Sequence, residues 1–290
     1  MLEFIPTIVY KRIFMLSLFY SLAILSSAQP QIDAVRVDNP PHIDGRVDDD
    51  VWNLAFKVYE FFQQEPNLGE PSSEKTEVFV CYDSKNIYFG IKCGDNPDKI
   101  AAKEMLYDAR ISNDDRMRIL IDTYHNKRTG YYIAINPLGA KIDASLSNDG
   151  SLKNEDWDGI WDGRAHITDW GWEAEIAIPF QTLGFNRNND TWGIKFSREI
   201  EYKAETSYWP KVGINSTSSQ LSDAGILVGL IDISQGLGLS FLPYIVTGFD
   251  QKRNNGSDYR FSAGLDISYH ITPSLKTAIS LNTDFAETEV

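Results

Sequence analysis

The chain has 290 residues, 42% of them hydrophobic and 23% charged, which is the composition of a folded protein rather than of a disordered one. Its length fits one or two domains. The formal net charge of −14 makes nucleic acid a poor partner, because a polyanion repels phosphate backbones. The excess of acid suits a neutral ligand, a cation or a solvated surface.

The N-terminus has the pattern of an export signal. Lys11 and Arg12 precede an apolar run over residues 13–25, and small residues follow that run. We therefore expect a signal peptide over residues 1–28, with cleavage before Gln29. The run is short for a membrane span, and an uncleaved anchor is the alternative. The protein is predicted to be exported.

Residues 29–230 contain many short segments with the period of a β-strand, separated by turns rich in Gly, Asn and Asp. The clearest covers residues 172–178, where apolar side chains alternate with Glu173 and Glu175 until Pro179 ends the run. Many short strands with few helical patterns predict an antiparallel β-sandwich of the jelly-roll type for residues 29–230. The two glutamates are expected on its solvent face.

The two cysteines fall in a predicted hairpin and are expected to remain free. Export permits a disulfide, but the register opposes one. If Tyr82 lies opposite Ile87, then Cys81 lies opposite Tyr88, and Cys93 points to the other face of the sheet. We predict two buried thiols.

From residue 231 the pattern changes to longer alternating segments, at residues 239–247, 261–271 and 275–284. Alternating strands of about ten residues, joined by long and short turns, are typical of an outer-membrane β-barrel. More of the sandwich is the alternative. Because the smallest natural barrels of one chain have about eight strands, we expect residues 231–290 to be the start of an incomplete barrel.

A polar loop between two predicted strands holds two tryptophans among carboxylates. A flat aromatic ring stacks on the apolar face of a pyranose while polar neighbours bind its hydroxyl groups. The alternative is that these tryptophans fold back on the core, as Trp172 and Trp192 are expected to do. A further tryptophan lies at a strand end. The candidate carbohydrate-binding residues are Trp157, Trp161, Asp156, Asp158, Asp162 and Trp209.

Five motifs follow one another along the chain: residues 43–52, 82–89, 115–122, 172–179 and 192–194. Together they resemble the family 9 carbohydrate-binding module of the xylanase-associated type, over roughly residues 35–230. The resemblance implies a β-sandwich that grips the ends of sugar chains, with structural calcium in some members. The remainder resembles the start of an outer-membrane barrel found behind such modules, which implies the outer membrane, periplasm or surface of a Gram-negative cell.

The chain departs from that family at its sugar clamp. Xylanase-linked members hold a sugar between two tryptophans, but the corresponding segments here, residues 110–113 and 212–222, contain no aromatic residue. Sugar binding therefore rests on resemblance of fold. Calcium prefers several oxygen ligands, which loop carboxylates supply, although a solvated loop is the alternative. The candidate calcium ligands are Asp95, Asp98, Asp114 and Asp115.

No motif of a catalytic site is present. The four histidines lack the spacing of a zinc site, and no nucleophile elbow, phosphate loop or dinucleotide fingerprint occurs. Glycosidases need two carboxylates across a cleft, and Glu173 and Glu175 share one strand face instead.

Three hypotheses follow from these observations. We favour a non-catalytic module that binds a polysaccharide such as xylan and is attached to an outer-membrane barrel. A structural, plug-like or transport-related domain without a sugar site is the alternative, and a glycoside hydrolase is a weaker one.

Overall fold

The structure is a computed structural model that describes residues 29–108, 111–187, 189–236, 239–252, 256–272 and 275–282. The predicted signal peptide lies outside the described residues, and the division of the chain at residues 28 and 230 stays a prediction. No helix among the described residues is long and apolar enough to cross a membrane.

The described chain is built from strands and three short 3-10 helices, Asp50–Asn53, Pro97–Lys99 and Glu201–Lys203. The strands are β1 (Gln31–Asp33), β2 (Val35–Arg36), β3 (Phe56–Val58), β4 (Phe62–Glu65), β5 (Thr76–Tyr82), β6 (Asn86–Gly94), β7 (Arg116–Asp122), β8 (Gly130–Ile135), β9 (Lys141–Ser147), β10 (Leu152–Asn154), β11 (Asp162–Thr168), β12 (Gly171–Pro179), β13 (Trp192–Ile200), β14 (Glu205–Trp209), β15 (Gly225–Val228), β16 (Leu239–Lys252), β17 (Gly256–Thr272) and β18 (Leu275–Leu281).

Two sheets form a β-sandwich, as predicted. The nine-stranded sheet has the order β1-β15-β13-β7-β8-β9-β10, with β14 paired to β13 and to β4. The six-stranded sheet has the order β11-β12-β6-β5-β2, with β3 on β5. The pairs β1–β15 and β2–β5 are parallel, and the others are antiparallel. The prediction of a purely antiparallel sandwich therefore fails at these two short N-terminal strands.

The core lies between the sheets because the apolar phase of each strand points inward. Ile119, Ile133 and Phe196 come from the nine-stranded sheet, and Phe89 and Ile176 come from the six-stranded sheet. Trp172 and Trp192 are fully buried in the same cluster, which confirms their predicted place in the core.

The expectation that Glu173 and Glu175 face solvent is wrong. They lie on the outer face of β12, but residues 42–52 cross that face and cover them. Both Glu175 oxygens accept hydrogen bonds there: one from the Asp44 and Gly45 amides at 2.9 and 3.0 Å, the other from Trp52 Nε1 at 2.8 Å. Glu175 is consequently fully buried. This carboxylate joins two of the five motifs into one structural unit.

The β5–β6 hairpin has the predicted register. Tyr82 pairs with Ile87 and Cys81 pairs with Tyr88. Cys93 lies in the core between the sheets, whereas Cys81 packs under the segment that carries Trp52. Both thiols are buried and free, as predicted.

The last three strands form an antiparallel sheet of their own, in the order β16-β17-β18. Phe241 lies opposite Ile267, which lies opposite Ile279, so these side chains share one face. No closed barrel is present among the described residues, and the proposed barrel start stays a prediction. The exposed large apolar residues that this register places on the same face are Leu239, Phe241, Ile245, Phe261, Tyr269, Ile279 and Leu281.

Candidate functional site

Asp143 is the centre of a polar site at the edge of the sandwich. It lies on β9, on the inner face of the nine-stranded sheet, because it pairs with the core residue Ile133. Its Oδ2 accepts hydrogen bonds from Tyr107 OH at 2.8 Å and from Trp161 Nε1 at 2.5 Å. The Gly159 amide lies 3.4 Å from the same oxygen. One carboxylate therefore fixes a loop before β7 and the loop that carries the candidate tryptophans.

The second oxygen of this carboxylate is also buried. Asp143 is 1% exposed, and its buried Oδ1 has no hydrogen-bond partner among the described residues. An unpaired buried acceptor costs free energy, so a hydroxyl donor that reached it would be stabilised.

Aromatic rings and one cation surround this carboxylate. Lys141 Nζ lies 4.8 Å from the Trp161 ring centroid and 5.4 Å from that of Tyr107. The Trp157 ring packs against Tyr131 with 4.9 Å between ring centroids. Tyr107 remains 45% exposed, so part of its ring is open to solvent. We call Tyr107, Lys141, Asp143, Trp157 and Trp161 the Asp143 corner.

The corner is acidic. Burial, and then the negative charges of Asp143 and Asp158, raise the pKa of Asp108 above its ordinary value. Burial and the hydrogen bond to Asp143 raise the pKa of Tyr107, so its hydroxyl stays protonated and remains a donor. The site thus offers carboxylate acceptors beside aromatic faces, which is the chemistry expected for a ligand rich in hydroxyl groups.

The predicted carbohydrate residues fall into three groups. Trp157 is half-buried, and Asp156, Asp158 and Asp162 are exposed around the same loop. Trp161 is only 7% exposed and packs in the core cluster, so it orients Asp143 rather than offering an open face. Trp209 is 8% exposed and packs on Phe196, with 5.8 Å between centroids, among core residues. Burial argues against the buried pair, Trp161 and Trp209, as stacking platforms.

Sequence reasoning missed Tyr107, Lys141 and Asp143. Lys141 and Asp143 alternate along β9 with the apolar side chains of the opposite face, and that pattern was visible as a strand. Tyr107 lies in a run of exposed residues that includes Met105 and Leu106.

The four candidate calcium ligands do not converge on one point. Asp114 Oδ2 accepts N–H bonds from Lys103, Glu104 and Asn136 at 2.8–3.1 Å. Asp95 is paired with the fully buried Arg198 at 2.9 Å. A calcium ion bound to Asp114 or to Asp95 would have to displace the donors that these carboxylates already bind. Within the described residues, no group of three or more His, Cys, Asp or Glu side chains is arranged to hold a metal ion.

The remaining two candidate ligands, Asp98 and Asp115, differ in burial. Asp98 is exposed in the 3-10 helix Pro97–Lys99. Asp115 is buried, and its Oδ2 has no hydrogen-bond partner among the described residues. Of the four, Asp115 alone leaves a buried oxygen that a cation could take.

Residues 43–209 match the family described as "Carbohydrate family 9 binding domain-like". The chain belongs to this family. Among solved structures it is similar to a family 9 carbohydrate binding module from Caldicellulosiruptor kristjanssonii in complex with cellotriose, with 15% identity and a TM-score of 0.50 over 69% of this chain and 93% of that one. The glucose complex from that organism gives 14% identity and a TM-score of 0.50 over 69% and 95%.

A crystal structure from Bacteroides uniformis ATCC 8492 is similar over 69% of this chain and 99% of that one, with 10% identity and a TM-score of 0.55. At these identities the likeness shows the shared fold. No curated protein matches the chain.

Residues 111–113 and 212–222 contain no aromatic residue and contribute aliphatic side chains to the sandwich. Ile111 and Leu221 are almost fully buried in a second apolar cluster on the outer face of the nine-stranded sheet. There they pack with Leu120 and Tyr132. These loops therefore cover the outer face of the sheet with aliphatic side chains.

Proposed function

We propose that the chain is a non-catalytic module that binds a saccharide unit of a polysaccharide at the Asp143 corner. The observation that carries this proposal is the buried Asp143 carboxylate, which holds Tyr107 and Trp161 through one oxygen, while its other oxygen has no partner among the described residues. Membership of the family supports carbohydrate as the ligand class. Two structural relatives were solved with cellotriose and with glucose, which favours a β-linked glucan, or a xylan-like chain, as ligand.

In this proposal the half-exposed ring of Tyr107 stacks on the apolar face of one pyranose. Asp143 Oδ1 then accepts a hydrogen bond from one of its hydroxyl groups, and the exposed Asp158 accepts one from another. A site of this size gives affinities in the micromolar to millimolar range, about −8 to −4 kcal/mol.

Calorimetric titration of the full chain with cello-oligosaccharides, xylo-oligosaccharides and β-glucan tests the proposal. Tyr107→Ala removes the open ring and should weaken binding about five-fold, because an aromatic contact contributes about 1 kcal/mol. Tyr107→Phe keeps the ring and should retain most of the affinity. Ile214→Ala, an exposed residue outside the corner, is the control. Equal binding by Tyr107→Ala and the control would reject this site.

We also propose that the protein is exported and attached to an outer membrane through residues 231–290. The export pattern at the N-terminus supports the first part. The second is supported by the sheet of β16, β17 and β18, because seven of its exposed large apolar residues share one face and would suit a lipid environment. Recovery of the full chain from cells in a soluble fraction, without detergent, would contradict attachment.

The alternative of a structural or transport-related domain without a sugar site is separated from the main proposal by the same titration. Absence of heat with every saccharide would favour it.

A further inference from the structure

A cavity opens on the outer face of the six-stranded sheet. Its volume is about 220 Å³, and it is lined by Lys75, Glu77, Lys92, Gly94 and Trp170. We call this space the Trp170 cavity.

Trp170 gives this cavity an open aromatic face on a fixed support. Its side chain is 41% exposed at the turn between β11 and β12. The Asp95 amide donates to the Trp170 carbonyl at 2.9 Å. The next residue, Gly171, has a φ of +148°, and a Cβ there would lie 2.0 Å from the Cys93 carbonyl oxygen. The turn is therefore held close against β6, and the ring is presented without the entropic cost of ordering a loose loop.

Charged side chains line the rest of the cavity. Glu77 accepts from Lys75 at 3.0 Å and also forms an ion pair with Lys57. Burial opposes ionisation of Glu77, but these lysines outweigh it and lower the pKa of the carboxyl below its ordinary value. Lys92 lies 3.8 Å from Glu173. The cavity thus offers carboxylate acceptors and ammonium donors whose charges are largely balanced.

The floor of the cavity is open because residue 94 is a glycine. Gly94 lies on the same face of β6 as Lys92, two residues away. A Cβ at this position would meet the Lys75 carbonyl oxygen at 3.4 Å, which is an ordinary contact. A methyl group would therefore fit without strain while it reduced the space beside Trp170.

We infer that the Trp170 cavity is a second saccharide site, which takes one pyranose of a neutral polysaccharide, and this inference rests on the proposed function. The ring of Trp170 supplies the stacking face, and Glu77 and Lys92 bind hydroxyl groups. A neutral sugar is favoured because the local charges are paired and the net charge of −14 opposes a polyanion.

The two sites lie at opposite ends of one hairpin. Asp162 pairs with Ala177 next to the Asp143 corner, whereas Thr168 pairs with Gly171 next to Trp170. At about 3.3 Å per residue, β11 separates these ends by about 20 Å. A polysaccharide that reached both sites would bind more tightly than a short oligosaccharide, through the effective concentration of the second contact.

Fluorine NMR of the full chain labelled with 5-fluorotryptophan tests the inference. The chain has seven tryptophans, and Trp170→Phe identifies the resonance of Trp170. Cellohexaose and xylohexaose are the probes. We expect the Trp170 resonance to shift on titration in the wild type and in Tyr107→Ala. In Gly94→Ala, the apparent Kd of the saccharide measured from this resonance should rise at least about five-fold. Ile214→Ala is the control.

Three results would overturn the second site. The first is that the Trp170 resonance does not move while the resonance of Trp157 or Trp161 shifts. The second is that the shift of the Trp170 resonance is lost in Tyr107→Ala. The third is that Gly94→Ala gives the same apparent Kd at Trp170 as the wild type. A wild type that shows no response at any tryptophan and no heat by calorimetry would instead reject the proposed function itself.

Discussion

Glu175 is predicted to be a main structural link of the sandwich, and Glu175→Ala tests this directly. The substitution leaves three donors without an acceptor: the amides of Asp44 and Gly45 and the indole N–H of Trp52. Each buried unsatisfied donor costs about 1–3 kcal/mol. Because water can reach part of the opened space, we expect a loss of about 3–6 kcal/mol in the free energy of unfolding.

Urea denaturation followed by tryptophan fluorescence measures this loss. Glu175→Gln keeps one acceptor oxygen but places an N–H₂ group against a donor, so it should cost less than the alanine variant. The exposed Glu60→Ala is the matched control and should stay within about 0.5 kcal/mol of the wild type. If Glu175→Ala also stayed within about 1 kcal/mol, the N-terminal segment would not depend on this carboxylate and the reasoning would be refuted.

Burial, the largest cause, raises the pKa of Glu175 in the folded state, although three hydrogen bonds lower it. The folded state therefore holds this proton more tightly than the unfolded state does. Its contribution to stability is greatest at low pH and falls as the pH rises above the unfolded value of 4.5.

Three further predictions concern buried ionisable groups. Burial raises the pKa of Asp115 to about 6, so protonation of this carboxyl favours the folded state. The free energy of unfolding should therefore fall as the pH rises from about 4 to about 6. Asp115→Asn should remove this pH dependence and raise the Tm at pH 7 when a chelator is present. If Asp115 binds calcium, calcium should raise the Tm of the wild type and leave that of the variant unchanged. Burial lowers the pKa of Lys195 to about 8, so the free energy of unfolding should rise as the pH increases from about 8 to 10. Lys195→Met should abolish that rise, which urea titrations at a series of pH values would measure. Burial raises the pKa of both Cys81 and Cys93 to about 12, so neither thiol should react with a thiol reagent until the chain is unfolded. Rapid labelling of the native protein would contradict their buried positions.

The strands and their register could be predicted because their signals are local. The alternation over residues 172–178 decides which side chains of β12 point inward, and the short turn between β5 and β6 decides how Cys81 and Cys93 are placed. The same alternation does not say what covers the outer face. Glu175 binds amides that are about 130 residues away in the chain, so its burial depends on a contact that no local pattern records.

Sequence reasoning could point to only part of the Asp143 corner, because the rest depends on contacts between distant parts of the chain. The loop of Trp157 and Trp161 was found from its composition, but its partners come from a loop before β7 and from β9. Only the fold brings Tyr107 and Asp143 to this loop. The division of roles between the tryptophans also depends on packing, since Trp161 turns inward to donate to Asp143 while Trp157 remains half-buried at the surface.

The covering of the outer face by residues 111–113 and 212–222 favours the edge of the sandwich as the place of the proposed saccharide binding. Ile111 and Leu221 pack on the outer face of the nine-stranded sheet and exclude solvent from it. Beneath the second of these segments, Lys195 donates to Ser216 and to the Thr217 carbonyl, both at 3.0 Å, which holds this cover in place. Tyr132 and Tyr208, two aromatic residues on the strands of this sheet, are buried. Tyr107 and Trp170 are exposed aromatic rings beside carboxylates near the two ends of the β11–β12 hairpin, and we therefore expect saccharide binding there.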